Sequence, residues 1–160
     1  MLRHKTEEFN NITPPSPDVC DGSSVTDTFG YLIRRIQDQS VRTFSEFFSE
    51  YQLNPIGYAI LSVTARNPGV RQGMLASVLG VQESNMANAI KDLMNRQLLA
   101  RVRRKKDGKA YYGLELSQGG LAIIDDLTRR ATELEHRQLI NLTQKERDQF
   151  MILLKKITRL

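Results

Sequence analysis

The nine residues RVRRKKDGK, from Arg101 to Lys109, concentrate the positive charge of the chain. Six of them are lysine or arginine and one is aspartate, a local excess of five that equals the net charge of +5 of the whole chain. Clustered cations of this kind bind nucleic acid, because each neutralised phosphate releases condensed counterions. No basic amphipathic helix with an aromatic apolar face accompanies the cluster, so it favours nucleic acid over a membrane surface.

A second group of side chains suited to recognition lies between Glu83 and Arg96. Apolar residues recur there at helical spacing: Met86, Ala89, Ile90 and Leu93. Polar residues fall on the opposite face or at the N-terminal end: Ser84, Asn85, Asn88 and Lys91. Such side chains can read base edges, and a good contact contributes about 1–3 kcal/mol of discrimination. The alternative is an ordinary polar helix face capped by Ser84.

Other chemistries find little support in the residue types. The single cysteine, Cys20, cannot form an internal disulfide, and with the two histidines, His4 and His136, it gives no metal-ligand spacing. No nucleophile–base pair or phosphate-cradling loop is present. We therefore expect no enzymatic activity, no catalytic or metal site and no cofactor. No apolar run approaches the roughly 18 residues of a membrane span, and no signal peptide precedes residue 20, so we expect a cytoplasmic protein without membrane contact.

Two short helices and a hairpin are predicted to carry these groups. Asn54 and Pro55 begin a helix that Asn67, Pro68 and Gly69 end. Two further helices, about Val70 to Leu79 and Glu83 to Arg96, flank Gly80 and form a helix-turn-helix. Strands near Leu98–Arg103 and Ala110–Leu116 follow, joined by a turn at Asp107 and Gly108, and together they form a wing.

Long amphipathic helices are predicted on both sides of this unit. One covers Asp27 to Tyr51, one follows the cap residue Ser117 to about Leu139, and Thr143 with Glu146 forms a capping box for the last. The predicted fold is mostly α with a small β-hairpin wing. Its regions are a flexible arm at 1–26, a helical dimerisation region at 27–52 and 117–160, and a winged helix-turn-helix at 53–116.

The segment from Leu75 to Gly120 resembles the MarR family of winged-helix transcription regulators. The resemblance rests on the helix-turn-helix, on Asp107 in the wing, on the alternating Leu114 and Leu116, and on Gly120. Two positions depart from the family pattern, Lys109 where arginine is usual and Ser117 where threonine is usual. Lysine keeps the charge but lacks the bidentate fork, which weakens the case for minor-groove insertion at Lys109.

The resemblance implies a homodimer with intertwined terminal helices that binds a pseudo-palindromic operator in double-stranded DNA. The wing cations are expected to contact phosphates or the minor groove: Arg101, Arg103, Arg104, Lys105, Lys106 and Lys109. Asp107 is expected to brace the hairpin by pairing with Arg101 or Arg103, the alternative being a solvated turn residue.

The resemblance also implies a repressor that a small effector releases from DNA. The expected effector is a phenolic compound or aromatic carboxylate, or its coenzyme A thioester. It would bind a crevice lined by Tyr31, Arg34, Arg35, Phe48 and Tyr58, although aromatics at helical spacing are more often core residues. Two alternatives stay open: a redox-sensing repressor that uses Cys20, and a winged-helix module that binds protein.

Overall fold

The computed structural model describes residues 22–159, so most of the predicted arm and Cys20 lie outside the described part. The chain divides into one unit that ends at Asp38 and another that begins at Gln39, and each is described by itself. No helix among residues 22–159 is long and apolar enough to cross a bilayer. The elements in chain order are α1 (Ser23–Thr26), α2 (Phe29–Phe47), a 3-10 helix (Ser49–Tyr51), α3 (Pro55–Arg66), α4 (Gln72–Leu79), α5 (Glu83–Asn95), β1 (Leu99–Lys106), β2 (Lys109–Leu116), α6 (Gln118–Gln138) and α7 (Gln144–Thr158).

The first unit contains α1 and the N-terminal part of α2. The turn α1 lies at the end of the predicted arm, and in it the carbonyl of Gly22 accepts hydrogen bonds from the backbone N–H groups of Val25 and Thr26. The Thr28 hydroxyl then donates to the carbonyl of Val25 at 2.8 Å and leads into α2. Phe29 and Leu32 of α2 are exposed.

Most helix limits of the second unit follow the predicted caps. The side chains of Asn54, Ser117 and Thr143 each accept a hydrogen bond from a backbone N–H of the first turn, and Thr143 with Glu146 forms the full capping box. Gly80 ends α4 in the left-handed region, with φ at 61°. The turn between α4 and α5 therefore has the geometry that its glycine predicts.

Several predicted limits were wrong. The long first helix ends at Phe47, and a tighter 3-10 helix follows up to Tyr51. Helix α4 begins at Gln72 rather than Val70, because Val70 pairs with Leu114 of β2 in an antiparallel bridge. Both strands reach further toward the turn than predicted, so the hairpin is longer and its tip lies further from the core.

The core of the second unit lies around α3. Its largest completely buried apolar side chains come from the turn after α2, from α3, from the helix-turn-helix and from α6: Phe48, Ile60, Leu61, Leu75, Met86, Ile90, Leu93 and Leu127. The ring of Phe48 stacks on that of Phe44 at 4.3 Å between centroids. Burial of this kind contributes about 1.5–3 kcal/mol for each large side chain, so the core fixes α4 and α5 on α3.

The base of the wing depends on a close approach between two backbone segments. The N–H of Gly69 donates to the carbonyl of Leu114 at 2.8 Å, and the N–H of Leu114 donates to the carbonyl of Val70 at 2.9 Å. A Cβ atom on Gly113 would lie 2.3 Å from the carbonyl oxygen of Gly69. The short segment before α4 therefore forms an isolated bridge to β2, and glycine at position 113 permits this close approach.

We expect Gly113→Ala to lower the free energy of unfolding by about 1–3 kcal/mol, because the new methyl group forces the two backbones apart. Gly73→Ala is the matched control, since a Cβ there meets no atom within 4 Å and alanine favours the helix. Urea unfolding of the two variants checks this. Equal stability of both would contradict the close approach.

Candidate nucleic-acid interface

Helix α5 separates its side chains into a buried and an exposed face, as predicted. Met86, Ile90 and Leu93 are buried against the core. The predicted base-reading residues are all exposed: Ser84, Asn85, Asn88 and Lys91. The helix begins after Gln82 without a side-chain cap, so Ser84 does not have the capping role of the alternative interpretation. The first turns of α5 thus present hydroxyl, amide and ammonium groups to solvent.

The register of the hairpin assigns the wing cations to its two faces. Arg104 pairs with Tyr111 and Lys106 with Lys109, while Arg103 pairs with Tyr112. Because side chains alternate along a strand, one face carries Arg101, Arg103 and Lys105, and the other carries Arg104, Lys106 and Lys109. All six cations are exposed. The hairpin therefore offers positive charge on both faces.

Arg104 differs from the other wing cations because it has an acidic partner. Its guanidinium forms an ion pair with the carboxylate of Glu115 on β2. The hydrogen bond from this contact raises the pKa of Arg104. Part of its positive charge is therefore compensated inside the wing, which makes it a weaker candidate for a phosphate contact than its neighbours.

The structure does not bring Asp107 to Arg101 or Arg103. Asp107 occupies the turn with φ at 52°, and Gly108 follows with φ at 76°. Arg103 lies four positions back along an extended strand, about 13 Å away at about 3.3 Å per residue, and Arg101 lies further still. Within residues 22–159 the ion pair of the hairpin is Arg104 with Glu115, which takes the place of the predicted brace.

Sequence reasoning missed Arg71. It immediately precedes α4, and its guanidinium carbon lies 4.3 Å from the ring centroid of Tyr111 on β2. The two residues are 40 positions apart in the chain, so only the pairing of Val70 with Leu114 brings them together. A basic residue directly before the first helix of a helix-turn-helix was the available signal.

Hydrogen bonds through Tyr51 connect the C-terminal end of α5 to α6. Arg96, at the end of α5, donates to the carbonyl of Tyr51 at 2.5 Å and to that of Gln52 at 3.1 Å. The hydroxyl of Tyr51 donates to the carboxylate of Asp126 on α6 at 2.5 Å. Arg130 contacts the same carboxylate at 2.7 Å. Helix α5 is therefore connected to α6 through a continuous polar chain.

The partners of Asp126 favour its ionised form. The Tyr51 hydroxyl, followed by Arg129 and Arg130, holds the pKa of the Asp126 carboxyl well below its usual range. The same hydrogen bond raises the pKa of Tyr51. The carboxylate and the protonated phenol are thus the stable forms at neutral pH, and the link between α5 and α6 is maintained there.

A cavity of about 480 Å³ lies between α3, β2 and α6. Its lining combines apolar and polar side chains: Ser62, Thr64, Ala65, Arg66, Pro68, Glu115, Leu116, Leu121, Ile124, Asp125 and Thr128. Thr64 is completely buried, and among residues 22–159 its hydroxyl has no hydrogen-bond partner. The volume lies within the range of small-molecule sites.

The residues predicted to bind an effector have different environments. Phe48 has no exposed surface, and its ring packs against Tyr58 at 5.5 Å between centroids. In the first unit, Arg34 lies over the ring of Tyr31 and pairs with Asp38 at 3.4 Å, while Arg35 is exposed. Phe48 is thus a core residue here, and the predicted crevice stays a prediction.

Comparison with known proteins points to one family. Residues 51–110, which span the helix-turn-helix and most of the hairpin, match the sequence model of the MarR family. Over this segment the chain is similar to MarR-family transcriptional regulators. The chain is 25% identical over 137 residues to a protein of Thauera aromatica described as a transcriptional regulatory protein for the hcr operon, covering 85% of this chain and 82% of that protein.

Solved structures of two regulators are similar to this chain over most of its length. The repressor CouR bound to a 23-mer DNA duplex has a TM-score of 0.78 at 26% identity, covering 88% of this chain and 99% of CouR. PcaV from Streptomyces coelicolor, in complex with its natural ligand, has a TM-score of 0.75 at 26% identity, covering 88% of this chain and 96% of PcaV. The predicted winged-helix fold is confirmed.

We expect Asp126→Asn to reduce stability at neutral pH and to flatten the loss of stability in acid. Because the folded-state pKa of Asp126 is lowered, its contribution is complete above the unfolded-state pKa of about 3.9 and is lost as the pH falls through the folded-state value. Thermal unfolding from pH 7 to pH 2 measures this. The control is Asp125→Asn, an exposed carboxylate one residue earlier. Parallel pH profiles for Asp126→Asn and the unaltered protein would contradict the assignment.

Proposed function

We propose that this chain is a homodimeric repressor of the MarR family that binds a pseudo-palindromic operator and is released by a small aromatic ligand. The observation that carries the proposal is the exposed polar face of α5 next to a cation-rich wing in the same folded unit. A recognition helix in the major groove needs short polar side chains at its N-terminal end. Wing cations beside it would hold phosphates and fix the register of the protein on DNA.

The exposed apolar side chains of the single chain support a homodimer. No described residue of α7 is buried, although the helix contains Phe150, Ile152, Leu153 and Ile157. Ile140, just before α7, is 69% exposed. In the first unit, Phe29, Leu32 and Ile36 of α2 are exposed as well. Apolar faces of this extent are covered in stable proteins, and a second copy of the chain, related by two-fold symmetry, is the partner that we propose for them.

Two observations support an aromatic effector. The cavity between α3, β2 and α6 combines apolar walls with Arg66, the buried Thr64 hydroxyl and the carboxylates of Glu115 and Asp125, which suits a ring that carries a hydroxyl. CouR, which has a similar structure, has been solved bound to p-coumaroyl-CoA. We therefore propose a phenolic or aromatic carboxylate, free or as its coenzyme A thioester, as the ligand.

Effector binding would act through α6. Ile124, Asp125 and Thr128 line the cavity, and Asp126 between them accepts the hydrogen bond from Tyr51. A ligand that displaces this part of α6 also displaces the residues that hold Arg96 at the end of α5. The distance between the two recognition helices of a dimer would then no longer match the half-sites.

Binding to a protein rather than to DNA is the competing function for a winged helix. That function predicts no operator and little dependence on salt, whereas a wing that neutralises phosphates makes affinity fall steeply as salt rises. Redox sensing through Cys20 is the competing switch, and it concerns a residue outside the described part of the chain. If an aromatic ligand releases the protein from DNA and a reductant does not change this release, the switch is effector binding rather than redox sensing.

We expect Asn85→Ala and Asn88→Ala each to reduce discrimination between operator and scrambled DNA by about 1–3 kcal/mol, because each removes a base-reading amide. Fluorescence anisotropy on DNA that flanks the protein's own gene measures both affinities over a salt series. Asn95→Ala, at the far end of the same helix, is the matched control. Unchanged discrimination in both variants would remove α5 as the reading element, and salt-insensitive binding would favour a protein partner.

We expect Thr64→Val to stabilise the free protein by about 1–3 kcal/mol and to weaken effector binding, because it removes a buried hydroxyl that has no partner among residues 22–159. Thermal shifts with p-coumarate and with p-coumaroyl-CoA, together with release from DNA, measure both effects. The control is Thr128→Val in the same cavity, whose hydroxyl already donates to the carbonyl of Ile124 at 2.8 Å. A ligand response that disappears in the control alone would contradict a role for Thr64.

A further inference from the structure

We propose that Arg71, held against Tyr111, is a phosphate contact at the root of the wing, separate from the cations of the hairpin. The inference rests on the proposed DNA binding and adds a residue that lies outside both the recognition helix and the wing. Arg71 is exposed and directly precedes α4, the first helix of the helix-turn-helix. In helix-turn-helix proteins this first helix crosses the DNA backbone, so a cation at its start is well placed for a phosphate.

The contact with Tyr111 orders the Arg71 side chain without neutralising it. The guanidinium carbon lies 4.3 Å from the ring centroid, well within the range of a cation–π interaction. Such an interaction uses the face of the ring and leaves the five N–H donors of arginine free to bond elsewhere. An ordered cation loses less side-chain entropy when it binds a phosphate, so the aromatic support favours binding.

Arg104 in the same wing differs from Arg71, because it is paired with a carboxylate. Its guanidinium is paired with the carboxylate of Glu115, so a phosphate there would compete with an internal anion. Among residues 22–159, Arg71 has no such ion pair. Of the two arginines on this side of the hairpin, Arg71 therefore keeps its full charge for an external partner.

The surroundings of Arg71 are suited to an anion. A groove of about 410 Å³ runs between the segment before α4 and the hairpin, and it is lined by Asn67 to Arg71, Met74, Lys106 and Tyr111. The lining includes two cations and no carboxylate. The cavity next to α6, in contrast, contains both Glu115 and Asp125. The groove therefore has a local excess of positive charge, from Arg71 and Lys106, and it is open to solvent.

The test measures binding to scrambled duplex DNA, since a phosphate contact does not depend on sequence. We expect each phosphate contact that is lost in Arg71→Gln to lower the affinity at 0.1 M salt about eightfold. The slope of log K against log salt should become shallower by about 0.9 for each such phosphate, or about 1.8 for a dimer. Operator affinity falls by the same factor, so discrimination is unchanged. Lys145→Ala, an exposed cation of α7 with the same change in charge, is the control.

Two substitutions of Tyr111 test whether its ring holds the Arg71 side chain in place for a phosphate. Tyr111→Phe keeps the ring and should bind as the unaltered protein does, whereas Tyr111→Leu removes the π face and should lower the affinity. The affinity lost when Arg71→Gln is added to Tyr111→Leu should then be smaller than the affinity lost with Arg71→Gln alone, because the two residues act together. Unfolding curves establish that each variant is folded before its binding is compared.

The outcomes separate this inference from the proposed function. If the unaltered protein binds duplex DNA and Arg71→Gln matches Lys145→Ala in affinity and salt slope, the role of Arg71 is overturned while DNA binding stands. If Arg71→Gln weakens operator binding alone, Arg71 reads bases and the phosphate assignment is wrong. If the unaltered protein binds no DNA at any salt concentration, both the proposed function and the inference fail.

Discussion

The approach of the segment before α4 to β2 is the constraint on which the rest of the candidate interface depends. Gly113 has no side chain, so the backbone of Gly69 can lie directly against it, and two hydrogen bonds with Leu114 hold the segments together. This contact connects the end of α3 to the wing. It therefore fixes where the hairpin leaves the core and places Arg71 over Tyr111. A side chain at position 113 would force β2 away from the segment before α4.

A similar constraint operates where α6 leaves the wing. A Cβ atom on Gly120 would lie 2.2 Å from the carbonyl oxygen of Leu98, and the Ser117 side chain caps the same turn. Helix α6 therefore begins directly against the base of β1. From there it reaches Asp126, which holds Tyr51 and through it Arg96 at the end of α5. The cavity beside α6 and helix α5 are thus connected by one continuous set of contacts.

The number of cations in the wing does not by itself give the positive charge that is available to a partner. The hairpin segment carries six cations, yet Glu115 compensates Arg104, and Arg71 from outside the segment adds a cation. Surface ion pairs contribute little to stability, about 0–1 kcal/mol. Their larger effect here is on which cations remain available to an external phosphate. The charge that a partner meets is therefore set by pairing within the fold.

The amino-acid sequence alone was enough to predict the helix caps and which face of α5 is buried. Asn54, Gly80, Ser117 and Thr143 act through hydrogen bonds and dihedral angles within a few residues, and the apolar spacing of α5 depends only on helical geometry, so local chemistry was sufficient. Only the tertiary structure decided the partners of distant residues: Val70 with Leu114, Arg71 with Tyr111, and Tyr51 with Asp126. These residues are 40 or more positions apart, and no local preference encodes which of many possible contacts is made. Packing around α3 selects them, because burying that core fixes where each segment ends.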